Sequence, residues 1–296
     1  MSEPVHALFE PGFFSSSTVH SALVVGAVVA VVTAVVGTFT VLRSQAFAGH
    51  SLGELGTTGG SAAYLGGVNP LWGFVVIAVA SGGIIESLGV RRPRLRDLTT
   101  GLVLGAGLGL AALLLYLDTT SSSTTGASVT ILFGSLFTVS SNDAPVIVAL
   151  SAAALGLVVL CYRMLLLGSL DTDLAAARGV PVRLVGFAHV LALALAVSLA
   201  AATIGAVLST ALLVGPPAAA LRMTKRPSTA LVASAVVGVS ATWVGILLAY
   251  DSYYWPPVHR GWPVSFFIVT LVFVFYVVVD LATSIRRRRH PPVRGR

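Results

Sequence analysis

Long apolar runs alternate with short polar segments along almost the whole chain. Nine of these runs approach the roughly 20 residues that a helix needs to cross a membrane. They lie near residues 21–42, 46–67, 71–90, 98–117, 144–163, 184–202, 205–222, 229–249 and 264–283. Only a short turn near residues 203–205 separates the runs at 184–202 and 205–222, so eight crossings are the alternative count. The pattern predicts an all-α polytopic membrane protein.

Composition excludes a soluble globular protein. Of the 296 residues, 56% are hydrophobic and only 10% are charged, which is far from the balance of soluble domains. The longest polar stretch, residues 118–128, is too short to fold alone. We therefore expect a single transmembrane domain over residues 1–296. Residues 1–19 would form an extracytoplasmic N-terminal segment and residues 284–296 a basic cytoplasmic tail.

The lysine and arginine residues are unevenly distributed, and the distribution predicts an orientation. Seventeen of the 18 fall in five clusters, at Arg43, residues 91–96, residues 163–183, residues 222–226 and the tail 286–296. Nine crossings with the N-terminus outside place all five clusters on one face, which the positive-inside rule makes cytoplasmic. The net charge of +7 therefore indicates contact with membrane lipid and not with nucleic acid.

The second predicted span carries an imidazole and a carboxylate. Between Arg43 and Glu86 the only acidic, basic or histidine residues are His50 and Glu54. Their spacing of four places both on one helix face. Because a charge at mid-bilayer costs roughly 3 kcal/mol, such a pair normally faces a partner, a cavity or a transported ion. An imidazole with a carboxylate suits zinc, manganese or ferrous iron.

Three further segments interrupt the apolar pattern. Residues 170–182 predict a helix of about two turns between the fifth and sixth spans, which Asp171 or Thr172 would cap and Gly179 would end. An ordinary connecting helix and a docking surface both fit that segment. Residues 131–143 are apolar but too short to span, which indicates a re-entrant or interfacial helix. Pro216 and Pro217 are expected to break the helix that contains them.

The loop before the last span carries a small basic patch. His259 and Arg260 lie there among Tyr253, Tyr254, Trp255 and Trp262. The aromatic residues are typical of a membrane-interface belt. His259 and Arg260 are available to an extracytoplasmic partner.

No enzymatic motif accompanies these features. The sequence has no G-x-x-x-x-G-K-[ST] and contains one lysine, Lys225, so P-loop hydrolysis of ATP is excluded. H-E-x-x-H is also missing, and the one G-x-S-x-G string, at residues 49–53, lies inside the predicted second span and not at the strand-to-helix turn that a hydrolase requires. We expect no catalytic residues in this chain.

Five motifs in order resemble the permease subunits of bacterial ABC importers for zinc, manganese and iron. The first is the family's V-L-R-R-M-A-x-x-G-D-x-L-x-H-x-x-x-x-G stretch, matched at Val41, Leu42, Arg43, Ala46, Gly49, Leu52 and Gly59. The others are L-F-G-S/D…V-S/T-x-x-D, D-x-x-x-A-x-x-x-G-V-P, A-L-L-V-x-P-A-A and D-x-P-x-G-P. They correspond to Leu132–Ser135 with Val139–Asp143, Leu170–Pro181, Ala211–Ala219 and Tyr250–Pro263.

The resemblance implies a permease of the bacterial inner membrane that imports a divalent metal, most simply zinc or manganese, and holds no permanent cofactor. It implies a homodimer, cytoplasmic ATP-binding subunits and an extracytoplasmic metal-binding protein. The coupling helix would present Asp171, Asp173, Ala176 and Gly179 to the ATPase. One departure concerns the metal ligands, because His50 stands where the family has Asp and Glu54 where it has His.

Two other functions fit parts of the sequence. A proton-coupled secondary metal transporter would use His50 and Glu54 without an ATPase, but it would need inverted repeats around broken helices, and no convincing repeat is visible. A membrane scaffold without transport would tolerate Leu at both positions.

Overall fold

The protein is a bundle of eleven α-helices in the part of the chain that the computed structural model describes. That part comprises residue 13 and residues 16–89, 93–121, 126–134, 136–140, 142–255 and 261–289. The helices are α1 (Ser17–Leu42), α2 (Ala46–Leu65), α3 (Pro70–Gly89), α4 (Pro93–Ser121), α5 (Gly126–Phe133), α6 (Asp143–Leu170), α7 (Thr172–Ala177), α8 (Val182–Ile204), α9 (Ala206–Met223), α10 (Pro227–Ser252) and α11 (Val264–Arg289). A short 3₁₀ turn, Leu136–Thr138, lies between α5 and α6.

Eight of the described helices are long and apolar enough to cross a membrane: α1, α3, α4, α6, α8, α9, α10 and α11. This confirms the prediction of an all-α polytopic protein. At the centre, α1 and α8 carry the largest sets of buried residues. Helices α2, α3, α6, α9 and α10 pack around that centre, while α4 lies outside α2 and α3, and α11 lies outside α9 and α10.

Helix α2 crosses the bundle beside α3 although its composition is less apolar. Leu52 of α2 lies opposite Gly82 of α3, and Gly59 lies opposite Gly73, so the two helices are antiparallel. Backbone contact at Gly59 and Gly73 leaves no room for a β-carbon on either residue. The 20 residues of α2 reach about 30 Å, which is the thickness of the hydrocarbon core. Helix α2 therefore has the length of a crossing, and α3, α4, α8 and α9 pack against it.

Helices α8 and α9 form an antiparallel hairpin with a one-residue connection. Gly205 joins them with a φ of 105°, a conformation that side-chain-bearing residues rarely adopt. Each helix of the hairpin contacts α2 at two successive turns. Gly49 of α2 faces Leu193 and Leu213, and Gly53, one turn later, faces Val197 and Ser209. The two runs at 184–202 and 205–222 are thus separate crossings.

The expectation that Pro216 and Pro217 break their helix is wrong, because α9 continues through both. Pro217 has no N–H to offer the carbonyl of Leu213, four residues earlier. That carbonyl instead faces the backbone of Gly37 in α1, which approaches closely because it has no side chain. The uninterrupted helix is therefore closely packed against a neighbouring helix at the position of the missing donor.

The expected short helix at residues 131–143 is displaced toward the N-terminus and divided. Helix α5 ends at Phe133, and the 3₁₀ turn follows. Gly134, with a φ of 82°, brings this turn against the connection between α8 and α9.

Candidate functional site

His50 and Glu54 lie on one partly accessible face of α2. Their neighbours Gly49, Leu52 and Gly53 are buried, whereas His50 and Glu54 are half-buried. The two side chains are one helical turn apart, as their spacing predicts. The pair is therefore covered by its own chain on one side only and remains accessible on the other.

The imidazole of His50 is held by a hydroxyl of another helix. Its Nδ1 lies 2.9 Å from Oγ1 of Thr210 in α9. In a neutral imidazole one ring nitrogen carries the proton and the other accepts. If Nδ1 donates to Thr210, Nε2 has a free lone pair, and if Nδ1 accepts, Nε2 carries the proton. Nε2 makes no hydrogen bond to any described residue.

The carboxylate of Glu54 has no hydrogen bond or salt bridge to the residues that the structure describes. Half-buried carboxylates among membrane-spanning helices normally have a partner, because the charge is costly there. A cation or a second protein copy would meet that need.

Two glycines set the distance between this face and α9. A β-carbon on Gly49 would lie 2.5 Å from Cδ2 of Leu213, and one on Gly53 would lie 3.1 Å from Oγ of Ser209. Both distances are shorter than ordinary contacts, so larger residues would require the side chains of Leu213 and Ser209 to move. Glycine at positions 49 and 53 thus allows the contact between His50 and Thr210.

One chain offers too few ligands for a closed metal site. Within the described ranges, no three His, Cys, Asp or Glu residues are grouped so that they could hold a metal ion. Zinc is almost always held by four ligands in structural sites and by three protein ligands in catalytic ones. A pair of ligands from one chain would need further ligands from a second copy.

The short helix α7 begins and ends as its sequence predicts. Oδ1 of Asp171 accepts hydrogen bonds from the backbone N–H groups of Asp173 and Leu174, each at 2.9 Å. Gly179 adopts a φ of 79° and ends the segment. Asp171, Asp173, Ala176 and Gly179 are all exposed, so these four residues form one accessible surface between α6 and α8.

His259 and Arg260 lie outside the described residues. On either side of them, Trp255 and Trp262 form an edge-on pair with ring centroids 6.4 Å apart. Trp262 also stacks on Phe267, with a centroid distance of 6.0 Å. The aromatic part of the predicted belt is therefore an ordered cluster that extends onto α11.

The sequence profile of one family covers most of the chain: the profile of the ABC 3 transport family matches residues 15–280. The chain belongs to the ABC 3 transport family. This confirms the resemblance that the five motifs indicated.

Named relatives in the ABC 3 family are similar over most of their length. The manganese transport system membrane protein MntC of Halalkalibacterium halodurans is 30% identical over 240 residues, which are 80% of this chain and 81% of the relative. MntC of Listeria monocytogenes is 27% identical over 248 residues, 82% of this chain and 85% of the relative. The structure of PsaBC from Streptococcus pneumoniae in complex with Fab matches with a TM-score of 0.77 and 23% identity, over 90% of this chain and 92% of that one. That match shows the fold.

Thr210 was not among the predicted site residues of this ABC 3 family member. Ser209 and Thr210 are the only hydroxyl-bearing residues of α9, whose other residues are apolar until Arg222. Two hydroxyl residues in an otherwise apolar helix are a signal in the sequence, but Thr210 stands just before the motif that begins at Ala211.

Helix α11 is tied to α9 by two contacts of Arg222. Its guanidinium forms a salt bridge with Asp280 and lies 5.1 Å from the ring centre of Tyr276.

Proposed function

We propose that this chain is the membrane-spanning permease subunit of an ABC transporter that imports a divalent transition metal. The observation that carries the proposal is the pair His50 and Glu54, which shares a partly accessible face of a helix that lies within the bundle. Membership of the ABC 3 transport family supports the transporter class. Relatives named as manganese transport membrane proteins and manganese import permeases favour manganese, and the donor set also accepts zinc or ferrous iron.

The metal would pass between two copies of the chain. If the α2 helices of two copies face each other, they bring two imidazoles and two carboxylates to one level. Four such ligands form a closed site, whereas one chain alone offers two. Each Glu54 would gain a cation as its partner. Affinity must stay modest, because an ion that is conducted has to leave the site again.

The proposal also includes the orientation of the chain in the membrane and its protein partners. The N-terminus lies outside and the basic tail in the cytoplasm of a bacterial inner membrane, with residues 1–296 forming one permease domain. Separate ATP-binding subunits dock on α7 through the surface of Asp171, Asp173, Ala176 and Gly179. An extracytoplasmic metal-binding protein docks near His259 and Arg260. The metal is the cargo and no cofactor is held permanently.

Uptake of radioactive manganese and zinc into cells tests the proposal. His50→Ala and Glu54→Leu should each reduce uptake by more than about 100-fold, since even an outer-shell partner of a metal ligand is worth 10–100-fold. His20→Ala is the matched control, because His20 is an exposed imidazole in α1. All variants must accumulate at wild-type levels. Normal uptake by both site variants would refute the assignment, and uptake without an ATP-binding subunit would favour a secondary transporter.

A further inference from the structure

We infer that Thr210 is a positioning residue for the transported metal: its hydroxyl accepts a hydrogen bond from Nδ1 of His50 and thereby leaves Nε2 free to bind the ion. This inference rests on the proposed function, because it assumes that His50 is a ligand. It adds a residue of α9 to a site that would otherwise consist of α2 alone. The observation behind it is the 2.9 Å contact between Nδ1 and Oγ1.

The chemistry of the imidazole allows only one direction for this hydrogen bond when metal is bound. If the Thr210 hydroxyl donated to Nδ1, Nε2 would carry the ring proton and would have no lone pair for a metal. If Nδ1–H donates to the hydroxyl, Nε2 has the lone pair. A hydroxyl has two lone pairs and rotates freely, so it can take the accepting role. The contact therefore accommodates the tautomer that the site requires, and it holds the ring in place once Nε2 binds metal.

The position of Thr210 is fixed by its neighbours in α9. Ser209 lies beside Gly53 of α2, and Leu213 lies beside Gly49, so contacts on both sides of residue 210 hold the two helices together. Ser209 is itself anchored, since its Oγ donates to the carbonyl of Ala206 at 2.8 Å. The imidazole is thus oriented by a rigid element and not by a mobile loop. Metal-binding histidines commonly have such a partner on their second ring nitrogen.

A role in packing alone predicts different behaviour. Thr210 also lines an apolar groove of about 500 Å³ between α9 and α11, together with Ala46, Ala211, Val272 and Tyr276. If only its shape mattered, Val would replace Thr without consequence. If the hydroxyl matters, Ser would replace Thr and Val would not. Comparing Thr210→Val with Thr210→Ser therefore distinguishes a packing role from a hydrogen-bonding role.

The test uses the full-length chain with its ATP-binding subunit in proteoliposomes, with the initial rate of manganese uptake measured against metal concentration. Thr210→Val should raise KM roughly 10- to 100-fold, while the rate at saturating metal changes less than about twofold. Thr210→Ser should restore the wild-type KM. A wild-type KM for Thr210→Val, or an equal rise for Thr210→Ser, would overturn the inference.

A second pair covers the case in which Thr210→Val does not fold. Thr210→Ala and Thr210→Ser both lose the methyl group, and only Ser keeps the hydroxyl, so Ala should show the higher KM by about tenfold or more. Equal KM values for Ala and Ser would overturn the inference.

His50→Ala in the same assay distinguishes failure of this inference from failure of the proposed function. If it abolishes uptake while Thr210→Val is normal, only the role of Thr210 fails, whereas normal uptake by His50→Ala refutes the proposed function itself.

Discussion

The backbones of Gly134 and Gly205 are in contact, so that the turn after α5 rests directly on the connection between α8 and α9. A β-carbon on Gly134 would clash with the backbone at residues 203–205, and one on Gly205 would clash with the backbone at residues 132–134. Both residues have positive φ, 82° and 105°. This contact joins two segments that are 71 positions apart in the sequence, and it holds the end of the hairpin that carries Thr210.

Alanine at either glycine should destabilise the protein. The backbone conformation alone costs about 1–3 kcal/mol for a residue with a side chain, and the clash adds to that cost. Gly205→Ala and Gly134→Ala should therefore lower the melting temperature of the purified protein in detergent. Gly156→Ala is the control, because a β-carbon there meets nothing within 4 Å and alanine favours a helix. Equal melting temperatures for all three variants would show that the contact is not structurally important.

The sequence predicts the helices better than their contacts. Hydrophobic runs identify the crossings because each approaches the roughly 20 residues that a span needs, and the cap at Asp171 follows from local chemistry. The predicted break at Pro216 and Pro217 is wrong, and the close approach of Gly37 at that point comes from a different helix, which the local sequence does not report. Likewise, Thr210 lies 160 positions from His50, and no local pattern reports a pairing at that separation.

The surface of α7 should be the contact with the ATP-binding subunit. Ala176 is exposed and small, so it permits close approach of a partner, and Ala176→Arg should block that approach. We expect loss of the ATPase during purification, or ATP hydrolysis that metal no longer controls. Asp171→Ala removes the cap and should have a weaker effect, at about 1 kcal/mol of local helix stability. Normal transport by Ala176→Arg with the ATPase still bound would contradict this interface.

Exchanging the two ligands tests whether their order matters. His50→Asp with Glu54→His restores the order typical of the family while keeping one carboxylate and one imidazole per chain. We expect this double variant to transport metal within about tenfold of the wild-type rate, because the donor set is unchanged. His50→Asp alone leaves two carboxylates and should shift selectivity from zinc toward harder ions such as manganese. Selectivity is measured by competition between the two metals in the uptake assay. A dead double variant beside an active single variant would contradict the assignment of both residues as ligands.

Acid should weaken metal binding, and magnesium should not compete. Protons compete with metal for an imidazole ligand, so affinity should fall as the pH is lowered. Magnesium prefers oxygen ligands and keeps its water, so a site with imidazole ligands discriminates against it. The measurement is metal-stimulated ATPase activity of the reconstituted transporter, titrated with manganese at each pH, with and without excess magnesium beyond that bound to ATP. A pH-independent affinity in wild type, equal to that of His50→Asp, would argue against an imidazole ligand.

The number of metal ions bound per chain tests the central claim most directly. Equilibrium dialysis of the purified complex against radioactive manganese gives that number for wild type, for His50→Ala and for the His20→Ala control. If the facing α2 helices of two copies share one site, wild type and His20→Ala bind one ion per two permease chains, and His50→Ala binds none at that affinity. Retention of the same binding by His50→Ala, or one ion per chain in wild type, would contradict a shared site built from His50 and Glu54.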